Sequence, residues 1–126
     1  MNSYDFVGLI NSITRDEVVR IVEENLDSPS VSRSAILNEL SDWYNTKDDS
    51  ERQLVTKLIK RVYDCAAWRI LHLLDSGRDH GGRFELCFID DETGEKIQFI
   101  DPPDLEELHE LYEPEFRGQI IYPKTK

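Results

Sequence analysis

The chain has 126 residues, 39% of them hydrophobic and 33% charged, and its 26 acids against 15 bases give a formal net charge of −11. That length fits a single globular domain over residues 1–126, and area scaling buries about two-thirds of the open chain, so a core forms without disulfides or metal. The composition excludes a membrane span, because no stretch approaches 18 uninterrupted apolar residues, and a pI near 4.6 argues against direct nucleic-acid binding, which needs a basic stripe.

Residues 3–13 read as a first helix with Tyr4, Val7, Leu9 and Ile10 turned inward, weakened by Gly8. Thr14-Arg15-Asp16-Glu17 matches a capping box that opens a second helix to about Leu26. Its inward residues are Val18, Val19, Ile21, Val22 and Leu26. Asp27-Ser28-Pro29-Ser30 breaks it, since proline cannot continue the amide ladder. Ser32 or Ser34 caps a third helix whose Ile36, Leu37, Leu40, Trp43 and Tyr44 follow helical spacing and are expected to face inward.

Asp48 and Glu51 form a second capping-box pattern, opening a fourth helix that runs to about Asp75 and stops at Gly77 as a left-handed terminal residue. This helix is roughly 40 Å long. Its apolar doublets, Leu54-Val55, Leu58-Ile59, Val62-Tyr63, Ala66-Ala67 and Ile70-Leu71, drift about 40° per four residues. The pattern predicts a central helix surrounded by the others. One strip of its second half stays polar: Asp64, Cys65, Trp68, Arg69, His72 and Asp75. Trp68 reads as a core side chain or as an aromatic interface anchor, where tryptophan is enriched.

Beyond a polar loop the period changes to two. Phe84, Leu86 and Phe88, then Ile97 and Phe99, flank Asp91-Glu92-Thr93-Gly94 as an antiparallel β-hairpin. Asp101-Pro102-Pro103-Asp104 starts a short acidic helix to about Tyr112. Leu105, Leu108, Leu111 and Tyr112 take one side of that helix, and acids take the other. Residues 117–122 are β-branched enough for a third strand or an extended tail. The fold class is therefore α+β: a four-helix N-terminal part with a long central helix, a hairpin, a short acidic helix and a candidate third strand.

The charge is concentrated. Residues 90–115 hold eleven acids against Lys96, which is −10, while the other hundred residues carry 15 acids and 14 bases, which is −1. Such a segment is either a solvated, solubilising surface or an anionic face that steers a basic partner.

Chemical motifs are sparse. His72, His80 and His109 lack metal-ligand spacing and the cysteines are 22 positions apart, so no metal or cofactor is expected. The acidic turn from Asp90 places its glycine out of step with a calcium loop. No nucleophile elbow or phosphate loop occurs. Two cysteines, Cys65 and Cys87, suit a reducing cytoplasm. A small hydrolase or thiol enzyme would have to use the loop of Arg78, Asp79, His80 and Arg83, or Cys65 between Arg61 and Arg69.

The stretch Leu73-Leu74-Asp75-Ser76-Gly77, a hairpin, and Asp101-Pro102 leading into Leu105-Glu106-Glu107-Leu108-His109-Glu110-Leu111-Tyr112 resembles a group of small uncharacterised bacterial proteins associated with toxin-immunity gene neighbourhoods. The likeness covers roughly residues 50–113, rests on structural motifs and transfers no catalytic residue. It implies a bacterial interaction protein.

The expected function is therefore binding without catalysis, as an immunity-type inhibitor of a basic toxin acting on nucleic acid. Carboxylates would stand in for phosphates: Glu106, Glu107, Glu110 and Glu113 on the last helix, with Asp91 and Glu92 on the turn. Trp68 or Tyr112 would add a desolvated anchor. The partner is a basic protein, not nucleic acid or membrane. A structural or regulatory adaptor is the alternative. The sequence sets no oligomeric state.

Overall fold

The computed structural model describes residues 1–27, 34–100 and 107–112. The fold is α+β, mostly helical with one two-stranded antiparallel sheet. In chain order the elements are α1 (Ser3–Leu9), a π-helical turn (Ile10–Thr14), α2 (Arg15–Asp27), α3 (Ala35–Tyr44) and α4 (Asp49–Asp75). A 3₁₀ turn (Gly77–His80), β1 (Cys87–Ile89), β2 (Lys96–Gln98) and α5 (Leu108–Leu111) follow. The described residues form two compact units, one of residues 1–12, 64–100 and 107–112, the other of residues 13–27 and 34–63. Among the described residues no helix is long and apolar enough to cross a membrane. Residues 117–122, the candidate third strand, and Ser32 lie outside the described residues.

In the unit of residues 13–63, α2 and α3 pack together. Ser34 caps α3 by accepting from the Leu37 amide. The face that meets α2 carries Leu37, Ser41 and Tyr44, of which Ser41 and Tyr44 are buried. Ile36, Leu40 and Trp43 point into solvent instead. The reason is polar: the Ser41 hydroxyl donates to the Leu26 carbonyl at 2.6 Å, and the Asn45 amide donates to the same oxygen at 3.3 Å. A C-terminal carbonyl of α2 thus gains the partners its own helix cannot supply, and that fixes which way α3 is turned. On α2 the buried residues are Val19 and Leu26, while Ile21 is exposed.

The helix expected to begin at Thr14 has no separate start there. The π-helical turn joins α1 to α2 without a break, so no orphan amides remain at Thr14 for a capping box to satisfy. The box forms one helix earlier: the Asp5 amide donates to Asn2 Oδ1 at 2.9 Å and the Asn2 amide to Asp5 Oδ2 at 3.1 Å. The Asp48–Glu51 box forms as the spacing predicts, with the Glu51 amide 2.8 Å from Asp48 Oδ1.

α4 runs its full 27 residues but is not surrounded. Its buried residues are Asp64, Ala67, Trp68 and Leu71, while Leu54, Leu58, Val62, Ile70 and Leu73 are exposed. The helix does not end on a left-handed Gly77. Positive φ falls at Gly81 (83°) and Gly94 (70°), and Gly77 is required for another reason: a Cβ there would sit 2.8 Å from the Arg83 Cα.

In the unit that contains the sheet, β1 and β2 pair with Cys87 opposite Gln98, Phe88 opposite Ile97 and Ile89 opposite Lys96. Phe99 and Ile100 just past β2 are buried, and the Phe99 ring stacks on Phe6 of α1 at 5.1 Å. Of α1, Ser3 and Val7 are buried whereas Tyr4 and Leu9 face solvent, because Phe99 is met by the Phe6–Val7 side. α5 packs on α1.

Candidate functional site

Two groups of side chains stand out, and both lie in the unit whose described residues are 1–12, 64–100 and 107–112. The first is the hairpin turn. Asp90 Oδ1 accepts from the amides of Glu92 at 2.8 Å and Thr93 at 3.0 Å, while the Gly94 amide donates to the Asp90 carbonyl at 2.8 Å. The Thr93 and Glu92 amides hold the Asp90 carboxyl below its ordinary value of 3.8, because they stabilise the ionised form. Gly94 closes the turn at positive φ, which costs a residue without Cβ little. Fixing Asp90 leaves Asp91, Glu92 and Glu95 exposed around the turn, none of them in an ion pair among the described residues.

The second group lies where α5 meets the second half of α4. Asp75 Oδ1 accepts from the Leu108 amide at 3.1 Å; Oδ2 accepts from the His109 amide at 2.9 Å and faces His109 Nδ1 at 2.7 Å. An ionised carboxylate only accepts, so Nδ1 carries the proton in this bond. The imidazole meets the Trp68 ring edge-on at 5.4 Å and the His72 ring at 4.8 Å, while Trp68 and His72 stack at 5.1 Å. One residue past α5, the fully buried Tyr112 hydroxyl donates to Asp64 Oδ1 at 2.6 Å. The polar strip of α4 is therefore the seat of α5: Asp64, Trp68, His72 and Asp75 all meet residues 108–112.

Ligand atoms of Asp75, Glu107 and His109 lie within 4.8 Å of one another, near enough to share one cation. As arranged they do different work. Both Asp75 oxygens already receive N–H groups at 2.7–3.1 Å. This is a hydrogen-bonded latch that supplies α5 with the N-terminal partners its own turn lacks. The helical strip on α4 could have signalled half of it; the other half needs His109 and Tyr112, which no local periodicity connects to α4.

Asp91 and Glu92 are exposed at the turn, and Glu107 is exposed at the N-cap position of α5 with Oε2 3.4 Å from His109 Nδ1. Glu110 lies within α5 but is half-buried. Glu106 and Glu113 lie outside the described residues, as do Asp101, Asp104 and Glu115. Trp68 and Tyr112 are interior side chains. This corrects the expectation of an aromatic anchor, since both rings spend their surface on residues of their own unit. Of the loop considered for an enzyme, Arg78, Asp79, His80 and Arg83 are all exposed.

Comparison with protein-family models, curated proteins and solved structures finds no match to this chain.

Proposed function

We propose that this chain is a non-catalytic acidic binding protein that meets a basic protein partner, in the manner of an immunity-type inhibitor covering a toxin that acts on nucleic acid. The observation that carries the reading is the hairpin turn. Asp91, Glu92 and Glu95 stand exposed and without ion-pair partners among the described residues, in the segment that holds −10 of the −11 net charge. A cationic surface built for phosphates attracts carboxylates by the same Coulomb term, and the approach is accelerated when several like charges act together. Cys65 and Cys87 are free thiols, one exposed and one half-buried, which suits a cytoplasmic setting.

The test uses the full chain immobilised at low salt in native cytosol, followed by stopped-flow association with the strongest binder captured. The binder should be basic, and its association rate should fall at least about tenfold between low and roughly 0.3 M salt. Asp91→Lys combined with Glu92→Lys should slow association at low salt while the circular dichroism spectrum stays the same. An acidic binder, or a rate indifferent to both salt and substitution, overturns the proposal.

A further inference from the structure

A separate surface lies in the unit of residues 13–63. Because Ser41 and Tyr44 turn α3 toward α2, the opposite stripe of Ile36, Leu40 and Trp43 is left 71%, 47% and 50% exposed. On the first half of α4 a second stripe, Leu54, Leu58 and Val62, is 62%, 61% and 59% exposed. The stripes meet at a shallow groove of about 260 Å³ whose lining includes Trp43, Leu54 and Leu58. Six large apolar residues left 47–71% exposed stand out from the singly scattered apolar residues of an ordinary monomer surface. A standard interface takes about 800 Å² from each partner, and this cluster would form the apolar centre of one.

We infer that a second copy of this chain covers that face, with the two α4 segments antiparallel about a twofold axis near Leu54 and Leu58. Charge selects this occupant. Residues 13–63 carry ten acids and eight bases, or −2, so two such units approach without the repulsion that two acidic hairpins would meet. Within α4 the charge is polar along the axis: Asp49 and Glu51 against Arg52 leave its first turn at −1, with Glu51 also 3.9 Å from Lys47, and Lys57, Lys60 and Arg61 follow one to three turns later. Antiparallel pairing sets the acidic start of one helix near the basic stretch of the other, whereas parallel pairing stacks like on like. Lys57 and Lys60 are exposed and make no ion pair among the described residues. An isologous contact of this kind closes on itself as a dimer.

Sedimentation equilibrium of the full chain from about 1 to 100 μM tests the inference, since interfaces of this size hold at micromolar concentration or tighter. The expected mass is twice 14.7 kDa, and it should persist in 0.5 M salt because burial of apolar surface drives it. Leu58→Glu, at an exposed position, should weaken association at least about 100-fold with an unchanged circular dichroism spectrum. Leu58→Ser is the milder companion, should the charged variant misfold. Lys57→Glu with Lys60→Glu should weaken the dimer several-fold at low salt. A chain that stays monomeric at 100 μM, a dimer that survives both Leu58 variants, or a dimer indifferent to the lysine reversal overturns the inference. None of these readings involves the basic partner, so failure here and failure of the proposed function are distinguishable.

Discussion

Asp75 is the residue on which the α4–α5 arrangement turns. Its side chain is nearly closed off from solvent, at 3% exposure, yet it takes three N–H groups from two residues more than thirty positions away. Hydrogen bonds to a charged acceptor contribute about 1.5–3 kcal/mol each, and donors left unpaired add their own desolvation cost. Asp75→Ala should therefore destabilise the protein by about 3 kcal/mol in urea melts followed by circular dichroism. Asp75→Asn keeps one acceptor and should recover some of that loss. Asp90 makes the complementary case, because its donors are two and three residues ahead. Its folded value lies below the unfolded one, so its contribution is present above about pH 4 and fades as pH falls through the lowered value. Melting temperatures of wild type and Asp90→Ala should differ near neutrality and converge toward pH 2. Asp90 was legible as the start of a turn because its partners are local. Asp75 was legible only as a polar residue in an apolar stretch.

Among the elements, α4 was the most readable, since both its capping box and its length follow from local signals. Its end was not. Gly77 occupies the place where a left-handed glycine ordinarily stands, but the residue that takes positive φ is Gly81. Gly77 instead lets the chain pass against the backbone of Arg83 and Phe84. Gly77→Ala should cost about 1–3 kcal/mol, because backbone cannot move aside as a side-chain tip can, whereas Gly82→Ala, with open space around it, should be near neutral. Parallel denaturant melts of the two variants check this. α3 shows a different kind of miss. Its apolar residues keep ideal helical spacing, yet two hydrogen-bonding side chains one position round the helix, Ser41 and Asn45, decide which face meets α2. A hydrophobic stripe tells that a helix is amphipathic; it does not tell whether the covering surface belongs to the same chain.

For the molecule as a whole, net charge is a property of composition and needs no fold to be known. Asp91→Lys with Glu92→Lys changes it from −11 to −7, that is −11 + 4. Since neither carboxylate is in an ion pair among the described residues, the melting temperature should stay the same or rise slightly as self-repulsion eases. Differential scanning calorimetry at low and physiological salt checks this, and a large fall would mean that those acids hold structure together. Local chemistry settled the α+β class, the caps of α3 and α4, the hairpin and the crowding of acids between residues 90 and 115, because each depends on residues within a few positions of one another. The inward turn of Trp68 and Tyr112, the Asp75–His109 latch and the open face of Ile36, Leu40, Trp43, Leu54, Leu58 and Val62 were decided only in three dimensions. Each depends on a partner group 15 to 48 positions away, or on its absence, and helical or strand periodicity carries no record of what lies opposite.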